Sequence, residues 1–330
     1  TRRCLYWHRY RAFKGAQYAV AWLVKEKSMK WRKIGLVFSA NGQASWMTSH
    51  TAVPFAEHVS GDLFRIYFTS RDSSQRSHIG FVDVDLTSPF DLINISSEPV
   101  LTPGSLGEFD DSGAMGSWIT KFDGKRYLYY QGWNLGITVP FRNSIGLATS
   151  DSGSNFVRYC PGPIVDRTMF EPQFCATPCV LIDEGVWKMW YLSCTEWFLE
   201  NGKPKHRYHL KYAESADGII WRRDGTIAID YANSGEYAIS RPSVIRDDDR
   251  WRMWYSYRGD RYRIGYAESL DGKQWVRLDE QVGIDMSSEG WDSEMIEYPF
   301  VFDHDGIRYM LYNGNEYGKT GFGLAVLDDF

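Results

Sequence analysis

The chain lacks a long hydrophobic run, a surplus of basic charge and a dense or evenly paired set of cysteines. The first absence excludes a membrane-spanning helix, which needs about 20 consecutive apolar residues. The mostly apolar run Tyr18 to Val24 is far shorter and is closed by Lys25, Glu26 and Lys27. The second argues against a nucleic-acid partner: 37 Lys and Arg stand against 42 Asp and Glu, spread along the chain with a net charge of −5. The cysteines are Cys4, Cys160, Cys175, Cys179 and Cys194, an odd and scattered set. They imply reduced thiols and a cytoplasmic setting rather than a disulfide framework. Cys175 and Cys179 have no second Cys or His pair to complete a zinc tetrahedron, so no metal and no cofactor is expected.

Arg2, Arg3, His8, Arg9, Arg11 and Lys14 precede that short apolar run, in the order of a secretory signal. No small-residue cleavage site follows it. Residues 1–28 are therefore expected to form an N-terminal extension outside the fold, and 29–330 a single domain.

Aromatics, by contrast, are abundant at 16%, with 14 Trp and 21 Tyr, and they favour strands. They also recur. Apolar segments rich in Tyr and Trp appear five times and bring Phe68, Tyr130, Tyr191, Tyr255 and Tyr312 into register, at steps of 62, 61, 64 and 57 residues. A second segment with small residues aligns Gly80, Gly146, Lys211, Gly265 and Gly323. A third, upstream of each aromatic segment, aligns Pro54, Gly116, Pro178, Pro242 and Pro299. Periods of this length mark solenoids, propellers or arrays. Ser-x-Asp/Ser-Gly turns at Ser150–Gly153, Ser215–Gly218 and Ser269–Gly272 lead into a fourth apolar segment holding Phe156, Trp221 or Trp275. Short strands bounded by turn residues, four to a repeat, predict an all-β, five-bladed β-propeller with four-stranded blades.

In a propeller the innermost strands line a central channel and open into a pocket on the axis. The Pro/Gly-marked segments are the candidates for those strands. Just ahead of the marker lie Ser49-His50, Asp110-Asp111, Glu171, Glu236 and Asp292 to Glu294. Carboxylates thus recur in four of five repeats, where like charge is costly unless used or paired. Asp111, Glu236 and Glu294 are the candidate catalytic groups, with His50, Asp110, Glu171 and Glu297 around them. Glycosidic cleavage needs one carboxyl that holds its proton and one that stays ionised. Crowded acids separate their pKa values and supply both states. Arg71, Arg241 and Arg258 would balance the charge or bind an anionic group, Arg241 being placed to pair with Glu236. Trp46, Trp118, Trp133, Trp197 and Trp291 flank the same segments as platforms for sugar rings.

On these residues the chain resembles the five-bladed propeller glycosidases: the arabinanase and xylosidase group, the invertase and levansucrase group, and the mannoside phosphorylases. The resemblance implies a carbohydrate substrate, with Asp111 as the middle Asp and Glu171, Glu236 or Glu297 as the proton donor. The stretch Ile-Glu-Tyr-Pro at Glu297 is similar to the acid-bearing strand of the arabinanase group. The first repeat departs from the pattern, offering Ser49 and His50 where those hydrolases place an Asp. Three readings follow: a divergent glycosidase, a phosphorylase with phosphate held by Arg and His, or a non-catalytic glycan-binding propeller.

Overall fold

The computed structural model describes residues 28–329 apart from 152 and 154, so residues 1–27 of the expected extension lie outside the described residues. The chain is all-β; one short turn of α-helix, Asn315–Gly318, and one of 3-10 helix, Asp279–Gln281, interrupt the strands.

The strands pair as five antiparallel groups. The first holds Ser49–Ser60, Leu63–Arg71, Ser77–Asp85 and Leu92–Ile95. The second holds Gly113–Phe122, Lys125–Leu135, Phe141–Ser150 and Val157–Arg158. In the third, Cys175–Asp183 and Val186–Glu200 are followed by Lys203–Ser215, on which both Trp221–Arg222 and Ile227–Ile229 pair. The fourth holds Ala238–Arg246, Trp251–Arg258, Tyr262–Ser269 and Val276–Arg277. The fifth takes Glu297–His304, Ile307–Asn313 and Phe322–Asp329, and its outermost strand is Lys30–Phe38, from the other end of the sequence. The role of Lys30–Phe38 escaped the repeat alignment, because a strand that closes a ring carries no copy of the repeat's other markers.

Each group's leading strand packs against the next, and the fifth packs against the first, so the five leading strands form a closed ring. Asn313 stitches the closure: its side chain accepts from the Val53 N–H at 2.8 Å and donates to the Thr51 and Gly321 carbonyls.

The recurring residues have steric causes. Phe68, Tyr130, Tyr191, Tyr255 and Tyr312 are all fully buried, each directly opposite Gly80, Gly146, Lys211, Gly265 or Gly323. A Cβ on Gly146 would stand 2.3 Å from the Tyr130 ring, and one on Gly265 would stand 2.5 Å from the Tyr255 ring. The aromatic ring lies over the bare backbone, and only glycine permits that approach.

The Pro marker is the far residue of a β-bulge. Each leading strand carries an extra residue there, between Ala52 and Phe55, Gly116 and Trp118, Ala176 and Cys179, Ser240 and Ser243, or Glu297 and Phe300. The register makes Ser117, not Gly116, the second repeat's counterpart of the prolines. A bulge frees a backbone N–H from the ladder, and that donor must find another partner. Here it crosses to the preceding group. Gly116 N–H donates to Thr69 Oγ1, Arg241 N–H to Thr177 Oγ1 and Tyr298 N–H to Ser256 Oγ. The residue before each Pro is left-handed, with φ of +54° at Val53, +40° at Thr177, +51° at Arg241 and +55° at Tyr298. Strain repeated around a ring in non-glycine residues is held by the surrounding packing, and such bulges re-aim side chains.

Candidate functional site

The acids that recur ahead of the marker are bound within their own groups. Asp110 is fully buried, accepts from the Tyr130 hydroxyl at 3.0 Å and pairs with Arg158 at 2.7 Å. Glu171, also fully buried, accepts from the Tyr191 hydroxyl at 3.1 Å and pairs with Lys211 and Arg223, both at 3.3 Å. Asp292 accepts from the Tyr312 hydroxyl at 3.0 Å and pairs with Lys33 at 2.7 Å. Glu236 grips Arg277 at 2.7 and 2.9 Å, and Arg277 also binds Asp279, the acceptor of the Tyr255 hydroxyl. The shared design is a latch: the aligned tyrosine and a cation on an outer strand or the segment after it are tied through one buried carboxylate in three groups, and through Glu236 and Asp279 together in the fourth. The expected pairing of Glu236 with Arg241 does not form, because Arg277 already satisfies Glu236 and Arg241 points elsewhere.

Among the described residues, no hydrogen bond or ion pair joins Asp111, Glu236 and Glu294 to one another. Asp111 is half-buried and accepts from the Gly107 N–H and the Ser112 hydroxyl, as a turn cap does. Glu294 is exposed, its backbone N–H held by Asn315. Trp133 donates its indole N–H to Ser77 at 3.2 Å and packs over Gly113, at the head of the second leading strand. Trp46 and Trp118 are buried in the core, which removes them as platforms.

A latch role predicts a loss of stability rather than of chemistry. Glu171→Gln keeps the shape but leaves Lys211 and Arg223 facing a neutral amide. It is expected to cost roughly 1.5–3 kcal/mol in urea unfolding while any activity per folded molecule is unchanged. A variant of full stability with lost activity would return Glu171 to the site.

The heads of the leading strands hold a different set of residues. Glu297 starts the fifth leading strand and is completely buried, and neither of its carboxylate oxygens has a hydrogen-bond partner among the described residues. Burial raises its pKa well above the ordinary range, opposed incompletely by the Arg258 charge and the Tyr298 hydroxyl. The next residue, Tyr298, lies in the bulge, where burial and then Glu297 raise its own pKa, opposed by Arg71. Arg258 ends the second strand of the fourth group. Its guanidinium donates to the Tyr317 hydroxyl at 2.8 Å, leaves Nε unpartnered and lies over the rings of Tyr237 and Tyr262. The hydroxyls of Tyr208 and Tyr262 meet beside Glu297.

Arg71 ends the second strand of the first group, opposite Ser49. His50 beside it is half-buried and left-handed, with Nδ1 3.0 Å from Ser49 Oγ. Burial, then Arg71 and Lys319, push its pKa down to about 4, so at neutral pH the imidazole is uncharged. His206 is pushed down to about 4 as well, by burial and Arg258, and keeps Nδ1 unpartnered.

Arg241 occupies the axis itself. It is fully buried and donates to Ser117 Oγ at 3.4 Å and to the Pro54 carbonyl at 3.2 Å, with its Nε unpartnered. Its backbone N–H reaches Thr177, and its cation lies over the rings of Trp118 and Phe300. One residue from the fourth group thus touches all four others, three through its side chain and the third group through its backbone N–H.

Sequence reasoning placed His50, Arg71, Arg258 and Glu297 in this neighbourhood, and the geometry brings them together. It missed Tyr298, Tyr208, Tyr262, His206 and the loop residues Tyr317 and Lys319. A signal for the first existed: the place two residues before the marker reads Ala52, Met115, Ala176, Ser240 and Glu297, and the next reads Val53, Gly116, Thr177, Arg241 and Tyr298. Glu297 and Arg241 are the charged exceptions in otherwise uncharged columns. Asp62, His304 and Asp305 form the one group of possible metal ligands found among the described residues, and they sit on turns at the opposite ends of the leading strands.

No established family model matches the chain. Its fold is shared with several solved glycoside hydrolases. It is similar to a thermostable family-43 glycoside hydrolase at TM-score 0.62, with 17% identity and 88% and 91% of the two chains covered. A putative glycosidase from Bacteroides thetaiotaomicron superposes at TM-score 0.66, with 17% identity over 92% of this chain and 97% of that one. An endo-arabinase of the same bacterium superposes at 0.57, with 16% identity over 90% and 98%. By sequence the chain belongs to the family of the uncharacterized protein Rv1502 of Mycobacterium tuberculosis. It is 45% identical to that protein over 301 residues, 91% of this chain and 100% of the relative.

Proposed function

We propose that the five strand groups are four-stranded blades of a five-bladed propeller, and that its axial mouth is the site of a glycoside hydrolase. The closed ring of leading strands and the exchange of Lys30–Phe38 into the fifth group support the architecture. The observation that carries the function is Glu297, a fully buried carboxyl without a well-formed hydrogen bond among the described residues, on an axial strand beside Arg258 and Tyr298. Burial pushes Glu297 toward its protonated form, and a carboxyl that holds its proton is the group that glycosidic cleavage asks of its acid.

In this reading Glu297 gives its proton to the leaving oxygen as the bond to the anomeric carbon breaks. Water adds to that carbon, and its proton passes to a base. Asp111, half-exposed at the head of the second leading strand, is the carboxylate we assign to activate the water. His50, Tyr298 and Tyr208 line the same mouth as hydrogen-bonding groups for sugar hydroxyls. The four cysteines among the described residues are free thiols, three of them buried; they support a reducing compartment, and we place the activity in the cytoplasm.

A second reading, a glycan-binding module without turnover, draws on one observation: no carboxylate acts on Glu297 in its immediate surroundings. A panel of glycosides and oligosaccharides, followed by chromatography of released sugar, separates the two. Release that needs the intact mouth supports hydrolysis; saturable binding with no release over the whole panel leaves the binding module.

A further inference from the structure

The buried and half-buried arginines divide sharply by partner. Arg65, Arg126, Arg158, Arg207, Arg223, Arg250, Arg252, Arg263, Arg277 and Arg308 each pair with a carboxylate. Among the described residues only Arg71, Arg241 and Arg258 do not. Arg241 is spent on the axis, against Pro54, Ser117 and two aromatic rings. Arg71 and Arg258 remain, at the same end of the ring, one flanking Tyr298 and the other Glu297. Among the described residues the side chain of Arg258 hydrogen-bonds only to a phenol, and its buried Nε has no acceptor. Arg71 has no side-chain acceptor among the described residues; its backbone belongs to the strand ladder, and its carbonyl also accepts from Thr48.

A guanidinium kept away from carboxylates in a fold that pairs nearly every other one is costly unless a ligand supplies the acceptor. Two such groups, forked and fixed on strand ends, match the oxygens of a planar or tetrahedral anion. We propose that Arg71 and Arg258 form an oxyanion clamp at the mouth, so that the substrate taken there brings an acidic group within reach of Glu297. The clamp rests on the mouth being a carbohydrate site and adds its substrate class: an acidic sugar, such as one with a ring carboxylate. The same chemistry would hold free phosphate, and the test separates the two sources.

Binding is measured by isothermal titration to the wild-type protein and to Arg71→Gln, Arg258→Gln and Arg258→Lys, each checked for an unchanged thermal melt. The probes are methyl glycosides and short oligosaccharides of glucuronate and galacturonate, the matched neutral sugars, and inorganic phosphate. The expected result is saturable uronate binding that either Gln variant weakens roughly tenfold to hundredfold, with Lys losing less. Neutral sugars should bind the wild type and the variants alike. Saturable phosphate binding lost in the same variants, with sugar release only when phosphate is present, would keep the clamp and identify its anion as a co-substrate. Neutral sugars bound well by all four proteins, with uronate and phosphate bound by none, would overturn the clamp while leaving the carbohydrate site standing. If no sugar of either kind binds and none is released, the carbohydrate reading itself fails, whatever phosphate does.

Discussion

Glu297→Gln will lose turnover by about 10²–10⁴-fold and will nevertheless melt higher than the wild type at alkaline pH. The first half follows from removing the one proton that a buried, unpartnered carboxyl holds at the mouth. The second follows from linkage. The pKa of Glu297 is raised in the fold above its unfolded value of about 4.5. As pH rises past that value the unfolded chain releases the proton while the folded chain keeps it. Stability therefore falls with pH, by at most about 1.4 kcal/mol per unit, until the folded pKa is passed. Gln cannot ionise, so the variant lacks this slope. The gap in melting temperature between variant and wild type should widen as pH rises above the unfolded value and level off once the folded pKa is passed, and a series of melts across that range reads it directly. A gap independent of pH would mean that Glu297 is ionised in the fold, and it could not then serve as the proton donor.

The fold was legible because its repeats answer to sterics. A tyrosine ring over a bare backbone needs glycine opposite, as Tyr130 over Gly146 and Tyr255 over Gly265 show, and in the first and fifth groups the glycine makes room for Trp46 or Trp291 instead. The prolines were visible too, but not the bulge they close, so the second repeat was aligned on Gly116 instead of Ser117. The site was harder to read, and for a related reason. In a ring of similar units, whatever recurs in every unit serves the unit. Asp110, Glu171, Glu236 and Asp292 recur because four of the five groups tie their outer cation inward through an acid at this place, in the fourth with Asp279 beside it. A site on the axis needs different groups from different units, so its members appear as exceptions. Glu297 stands where the other leading strands carry Ala52, Met115, Ala176 and Ser240. The loop residues Tyr317 and Lys319 lay outside any repeat, and nothing in their spacing announced them.

Arg241 is the other exception, and its replacement will reveal whether the axis is held by volume or by charge. Arg241→Ala is expected to cost about 3–5 kcal/mol in urea unfolding, because it empties a site walled by Trp118, Phe300 and the Pro54 backbone. Arg241→Met, unbranched and of similar reach, should recover most of that loss and stay within about 1.5 kcal/mol of the wild type. The physical ground is that the guanidinium is poorly repaid where it sits. It is fully buried, has hydrogen bonds of only 3.2 and 3.4 Å, keeps an orphan Nε and has no carboxylate. Burial pulls its pKa down to about 10, so at neutral pH it still carries its charge. A buried cation so placed contributes less than a well-packed apolar chain of the same size. If Met costs as much as Ala, the bonds to Pro54 and Ser117 are what tie the first and second groups to the fourth, and the charge is the hub of the ring.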